Sequence, residues 1–359
     1  MTFFLHILKL CLPVFCFHTE EMTLSDWIVK QLQYTTPAMA YVDEVREDES
    51  TLDLLVASEN ENALKQGGQT GGGGASATEQ PLEVTPEADE ELQSLAAQEG
   101  SPWTKRTELN RNKLMDYDYL MKNFYRVDRT TTIDSSEFNP QEMFAKDMKV
   151  NLEVDGPVVL IYHTHSQEGF ADSNGTEQTS VMALGDRLAS LLQNVYGIPT
   201  LHHLGKYDVA GRDYAYSNAA PEISRVLAEN PTIQVVIDLH RDGVAEGTRL
   251  VTEIDGKPMA KVMFFNGLSR TTATGAIDYL QNPYLQDNLA LSLQMQIAAA
   301  ELYPGFTRPV FLKGYRYNMH MCPKSMLIEV GAQTNTYGEA YNAMEPLANI
   351  LSYVLLGNR

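Results

Sequence analysis

The sequence predicts an α/β fold, a mostly parallel sheet flanked by helices, preceded by a disordered acidic linker. The runs PVVLIYH at 157–163 and IQVVIDLH at 233–240 are largely apolar, as is typical of strands covered on both faces. Segments with helical spacing separate these runs, and such alternation favours parallel strand pairing. Upstream, a glycine tract, prolines and clustered acids replace this pattern, so the chain there buries too little apolar surface to fold.

Four segments have helical spacing of their apolar residues, namely 181–195, 218–227, 284–301 and 337–356. Asn218 would cap the second of these helices, and Pro346 should kink the last one or start a new segment. The other predicted strands cover 198–202 and 325–330, with two more around an Asp-Gly turn at 255–256.

The first seventeen residues, MTFFLHILKLCLPVFCF, resemble an export signal core or a short membrane anchor. They contain Lys9 and Pro13 and are shorter than the about 20 apolar residues that span a bilayer. We expect residues 1–21 to be an apolar leader or membrane anchor, which would place the protein at the cell membrane on its extracytoplasmic face. The alternatives are a misplaced start site and a buried apolar N-terminus.

The acidity of the chain is concentrated in one segment. Of the formal net charge of −20, residues 41–100 supply −13. We predict a low-complexity acidic linker over 22–129, with short helices within 22–34 and 108–124, and a folded domain over 130–359 whose regular pattern begins near Val150.

Composition excludes two kinds of site. A stripe of basic residues that could track phosphates is absent from the sequence, which argues against nucleic acid as a partner. The three cysteines are Cys11, Cys16 and Cys322, too few for a disulfide framework or a thiolate zinc cage. Nitrogen and oxygen ligands would therefore hold any metal.

Polar side chains follow three of the predicted strands. These are His163, His165 and Glu168 after the first, His240 with Arg241 and Asp242 after the second, and Glu329 in the last. Ligands of open α/β sheets gather beyond the carboxyl ends of strands, and catalytic zinc uses three imidazole or carboxylate ligands with one open position. The sequence therefore predicts a metal site at this edge.

Each of these residues also has a simpler interpretation. A lone histidine at a strand end is more often a hydrogen-bonded packing residue, whereas Glu329 in an apolar strand would be costly without a metal, a cation or a catalytic role. Since residues i and i+2 of an extended segment face the same side, His163 and His165 form a pair. We favour His165 as the ligand, with His163 as a supporting residue or alternative ligand, and expect His202 and His203 to be surface residues.

The motifs LIYHTHSQEGF, IDLHRDG, YRYN and SMLIEVGAQTNTYGEA, in this order, resemble the stage II sporulation protein P family of peptidoglycan hydrolases. The resemblance covers about residues 130–359, extends loosely to a leader and linker, and departs from the family at NMHMCP. The family is itself similar to zinc-dependent N-acetylmuramoyl-L-alanine amidases, so the resemblance implies a zinc amidase-like fold and makes 130–359 the catalytic amidase domain.

The resemblance implies Zn²⁺ bound by His165, Glu168 and His240, with Glu329 as the catalytic acid–base residue. Glu177 is the reserve for Glu168, because it roughly matches the position of the amidases' carboxylate ligand. Arg241 is the nearest cationic candidate in sequence for stabilising the oxyanion.

The implied reaction is cleavage of the amide between N-acetylmuramic acid and L-alanine during spore engulfment, with a further endopeptidase activity on stem-peptide cross-links. The implied partners are peptidoglycan, a sporulation lytic transglycosylase and a membrane scaffold protein. The alternatives are a catalytically inactive amidase-fold module that binds peptidoglycan or a partner, and a different zinc hydrolase such as a deacetylase or carboxypeptidase.

Overall fold

The computed structural model describes residues 103–357, in which seven strands form one sheet in the order β1-β10-β7-β11-β4-β2-β3. These strands are β1 (Tyr125–Val127), β2 (Val159–Tyr162), β3 (Thr200–His202), β4 (Val235–Asp242), β7 (Val262–Gly267), β10 (Val310–Lys313) and β11 (Ser325–Ala332). Every adjacent pair is parallel except β7 with β11. The predicted α/β class with a mostly parallel sheet is therefore confirmed.

Two small antiparallel ladders lie outside this sheet, β5 (Val251–Ile254) with β6 (Lys257–Ala260) and β8 (Arg270–Thr271) with β9 (Gly275–Ala276). The first is the hairpin predicted around the Asp-Gly turn. Asp255 and Gly256 both have positive φ angles, 54° and 79°, as a tight two-residue hairpin turn requires.

Helices cover both faces of the sheet. They are α1 (Arg111–Leu114), α2 (Tyr117–Phe124), α3 (Pro140–Ala145), α4 (Val181–Asn194), α5 (Ala215–Glu229), α6 (Leu285–Leu302) and α7 (Tyr337–Leu355). One core joins α4, α6 and α7 to side chains such as Ile161 and Ile237, whereas α5 packs on their neighbours Leu160 and Val236. Because side chains alternate along a strand, α5 covers the opposite face.

Two helix predictions need correction. Helix α5 begins at Ala215, so Asn218 lies inside the helix and does not cap it. The side-chain amide of Asn218 donates to the backbone oxygen of Tyr207. Helix α7 is continuous through Pro346. Buried neighbours such as Met344 and Leu347 hold the helix in place, and this packing offsets the hydrogen bond that proline cannot make.

Residues 103–129 pack against the rest of the domain. The Trp103 indole donates to Ser352 Oγ over 3.0 Å, Leu114 and Leu120 are fully buried, and β1 pairs with β10. The packed structure thus extends upstream of the predicted boundary at residue 130 to Trp103. The predicted leader over 1–21, the helix within 22–34 and the acidic window over 41–100 lie outside the described residues.

A search of residues 103–357 for a helix that combines the length and apolar character needed to cross a membrane finds none.

Candidate metal centre

Strands β2, β4 and β11 run in the same direction, so their carboxyl ends meet at one edge of the sheet. His240 of β4 and Glu329 of β11 are directly paired in this register. Both alternate with core residues that face α4, α6 and α7, namely Leu239, Ile328 and Val330. Their side chains therefore project to the face that α5 covers.

Three predicted ligands come together at this edge. One potential ligand atom from each of His165, Glu168 and His240 lies within 4.8 Å of the others, and all three residues are buried. Glu168 Oε1 lies 3.8 Å from His165 Nδ1, and Glu168 Oε2 lies 3.4 Å from His240 Nδ1. The two imidazole centroids are 5.1 Å apart, well within the reach of a single ion.

Asp238 supports two parts of this site at once. One of its carboxylate oxygens lies 2.7 Å from Nε2 of His240, which directs the other ring nitrogen, Nδ1, towards Glu168. The same carboxylate accepts hydrogen bonds from the backbone N–H and the hydroxyl of Thr164, between the two histidines of the HTH segment. Carboxylates in this position orient metal-binding histidines and set their tautomer.

The surroundings of Glu168 favour its ionised form. Burial alone would raise the pKa of Glu168, but hydrogen bonding with His240 and the nearby positive charges hold that pKa well below its ordinary value. Burial would lower the pKa of His240, yet Asp238 and Glu168 raise it well above 6.5. Burial and the charge of His240 lower the pKa of His165 to about 4, so its imidazole is neutral at pH 7.

His163 lies apart from the three predicted ligands. Its Nδ1 is 2.7 Å from the backbone oxygen of Leu239, and its Nε2 is 2.8 Å from Nε2 of His202. The ring packs towards Gly185 of α4, whereas the ring of His165 contacts Tyr216 of α5. The backbone leaves the extended conformation after Tyr162, so the i, i+2 argument for a shared side fails.

The expectation that His202 and His203 are surface residues is wrong. His202 lies between His163 and Asp186, whose Oδ1 is 2.7 Å from His202 Nδ1. His203 is buried, and its Nε2 is 2.6 Å from the hydroxyl of Tyr207. Both rings therefore contribute to packing beside the site.

The two carboxylate candidates occupy different environments. Glu168 is buried with the two imidazoles, whereas Glu177 forms an exposed ion pair with Lys206. Of the two, the structure brings Glu168 close to His165 and His240.

Glu329 is a buried acid next to this group. Burial and the charge of Asp242 raise its pKa to about 8, although His240 acts in the opposite direction. Its side chain is only 6% exposed, and its Oε2 has no hydrogen-bond partner among residues 103–357. A carboxyl whose pKa lies near neutrality is suited to accept and return a proton.

Two arginines contact Glu168, and sequence reasoning identified only Arg241. The backbone N–H of Arg241 donates to Glu168 Oε2 over 2.9 Å, while its guanidinium donates to the backbone oxygens of Gly169 and Asp242. Arg212 donates to Glu168 Oε1 over 2.7 Å. It begins a 3₁₀ turn, Arg212–Tyr214, at the end of the loop before α5, where no motif marks it in the sequence.

The donor set fits zinc. Two imidazole nitrogens and a carboxylate oxygen form a typical three-residue catalytic zinc site. The Nδ1 atom of His165 is buried with no hydrogen-bond partner among residues 103–357, as expected of an atom reserved for a ligand.

Two solved amidase structures are similar to this chain, both at low sequence identity. N-acetylmuramyl-L-alanine amidase Ami1 from Mycobacterium smegmatis is 14% identical, with a TM-score of 0.36 and coverage of 60% of this chain and 100% of that one. N-acetylmuramoyl-L-alanine amidase from Clostridium difficile 630 is 12% identical, with a TM-score of 0.34 and coverage of 56% and 97%.

The sequence of the chain is similar to that of a sporulation protein. The chain is 25% identical over 241 residues to stage II sporulation protein P of Bacillus subtilis (strain 168), which covers 62% of this chain. It spans about 55% of the length of that relative. The family model described as Stage II sporulation protein P (SpoIIP) matches residues 51–352. The chain therefore belongs to the stage II sporulation protein P family.

Proposed function

We propose that this protein is a zinc-dependent peptidoglycan hydrolase that cleaves the amide between N-acetylmuramic acid and L-alanine during spore engulfment. The observation that carries the proposal is the buried group of His165, Glu168 and His240, within 4.8 Å of one another at the carboxyl edge of the sheet. Membership of the sporulation family and the adjacent acid Glu329 support it.

His165 and His240 would bind zinc through nitrogen, and Glu168 through oxygen. Zinc held there would supply Lewis acidity towards water and the scissile carbonyl. Glu329 would accept the proton of the attacking water and pass it to the nitrogen of the departing L-alanine amine. Asp238 would hold His240 in orientation throughout the reaction.

Family membership also underlies the finer parts of the proposal. We propose an additional endopeptidase activity on stem-peptide cross-links, together with action beside a sporulation lytic transglycosylase and a membrane scaffold protein. Residues 1–21 would place the domain at the membrane, on its extracytoplasmic face.

The test is digestion of purified peptidoglycan by the full chain, with and without a chelator, followed by mass analysis of the fragments. We expect release of stem peptides with a free L-alanine amine, loss of this release with the chelator, and recovery when Zn²⁺ is restored. Sedimentation with peptidoglycan without cleavage would instead favour a binding module, and release of acetate or D-alanine would favour a deacetylase or carboxypeptidase.

A further inference from the structure

We infer that Arg212 is a catalytic residue of this site, whose guanidinium donates hydrogen bonds to the carbonyl oxygen of the scissile amide. The inference rests on the proposed hydrolase function. Its structural basis is the contact of Arg212 with Glu168, which places a cation directly beside the three proposed zinc ligands.

The position of Arg212 is fixed by the loop that carries it. Asp208, in the same loop, accepts hydrogen bonds from the hydroxyl of Ser166 and the backbone N–H of Gln167, and the Gln167 amide donates back to the Asp208 backbone oxygen. Ser166 and Gln167 lie between the ligands His165 and Glu168 in the chain. The loop is thus bonded to the ligand segment itself, which keeps Arg212 near the reacting atoms.

The guanidinium of Arg212 extends from the buried ligand towards solvent. Its side chain is 39% exposed, whereas that of Glu168 is 1% exposed. Across residues 103–357, Glu168 is the only hydrogen-bond partner of this guanidinium. An arginine has five N–H donors, so most of them remain available to a bound substrate.

Arg241, the cation expected from sequence, is less available. Its side chain is 18% exposed, and its guanidinium donates to the backbone oxygens of Gly169 and Asp242. These contacts turn its donors towards the protein. Of the two arginines at Glu168, Arg212 is the one that can meet substrate.

Amide hydrolysis requires stabilisation of negative charge on the carbonyl oxygen, and Arg212 would provide it. As the water oxygen bonds to the carbonyl carbon, negative charge develops on the carbonyl oxygen, and fixed cationic donors stabilise that charge. The carbon–nitrogen bond then breaks, and the water proton reaches the leaving nitrogen through Glu329. Arg212 donates hydrogen bonds throughout and transfers no proton.

The test compares the full-length wild type with Arg212→Gln, Arg212→Lys and the control Arg225→Gln, whose exposed arginine on α5 pairs with Glu222 and Glu229. Zinc content, kcat and KM are measured on a soluble muramyl peptide. Calorimetry measures binding of a phosphinate analogue with a tetrahedral centre at the scissile carbon.

For Arg212→Gln we expect kcat and phosphinate affinity each to fall about 100-fold, with KM and zinc content nearly unchanged. Arg212→Lys should recover part of the loss, and Arg225→Gln should match the wild type. If kcat or phosphinate affinity stays within about threefold of wild type, or if zinc is lost, the catalytic role is overturned. An inactive wild type would overturn the proposed function and this inference with it. An active wild type with an equally active Arg212→Gln would overturn only the role of Arg212.

Discussion

Glu329 lies directly opposite His240 on the neighbouring parallel strand. Strands in a sheet are about 4.8 Å apart, and paired residues project to the same face. The register of β4 and β11 therefore fixes the separation between the proposed acid–base residue and a proposed metal ligand. A shift of one residue would turn Glu329 into the opposite core.

Replacement of Glu329 by glutamine should separate chemistry from metal binding. Glutamine keeps the shape of the side chain but cannot accept the water proton, so hydrolysis should fall by a factor of about 100 or more while zinc remains bound. Fragment release from peptidoglycan and zinc content check both parts, with Glu253→Gln on the exposed part of β5 as the control. Undiminished cleavage by Glu329→Gln would refute the assigned role.

Replacement of Asp238 by asparagine should weaken zinc binding. The change removes the carboxylate charge that faces Nε2 of His240, and loss of such outer partners typically costs about 10–100-fold in metal affinity. Competition with a zinc chelator measures this affinity. Thr164→Val is the control, since it removes one hydroxyl donor but leaves the charge. Equal zinc affinities of Asp238→Asn and wild type would contradict the proposed support of His240.

Gly185 on α4 leaves the space that the His163 and His202 rings occupy. A Cβ on Gly185 would overlap Nε2 of His202 and lie 2.6 Å from Nε2 of His163. Both rings are held by hydrogen bonds, so Gly185→Ala should lower the free energy of unfolding by about 1–3 kcal/mol. The control is Gly338→Ala on α7, where a Cβ meets open space, and urea denaturation compares them. Equal stabilities of the two variants would count against the close packing of these rings.

His320 should make stability depend on pH. Burial and the charge of Arg316 lower its pKa from 6.5 to about 4. Between these values the unfolded chain binds a proton that the folded chain does not, so stability falls as the pH falls through this window.

Urea denaturation in chelator at pH 7 and pH 5 checks this linkage. From the higher to the lower pH, the wild type should lose about 1–2 kcal/mol more unfolding free energy than His320→Gln. Equal losses would show that His320 does not contribute in this way.

The parts of the site that lie in or shortly after continuous apolar strands could be predicted from sequence. Apolar runs mark β2, β4 and β11, and parallel pairing brings their carboxyl ends to one edge, which is enough to place His165, His240 and Glu329 close together. The pattern could not place His163, because its direction depends on where the backbone leaves the extended conformation. Arg212 could not be identified either, since its contact with Glu168 depends on a loop conformation that no local pattern encodes.

Strands β1 and β10, at one edge of the sheet, could not be predicted from the sequence pattern. Strand β1 has three residues, too few for a clear period, and both β1 and β10 are defined by pairing with distant parts of the chain. The short helices α1 and α2 do lie within 108–124, where the sequence predicts short helices. Their packing on the domain could not be predicted, because it depends on burial of Leu114 and Leu120 in a core formed by distant parts of the chain.

The most direct test of the central claim is the zinc content of the full chain, measured by mass spectrometry after equilibration with Zn²⁺ and removal of excess metal. We predict one zinc ion per wild-type chain and none in a His240→Ala variant that retains its fold by circular dichroism. A wild type without zinc, or a folded variant that keeps a full equivalent, would contradict a metal centre formed by His165, Glu168 and His240.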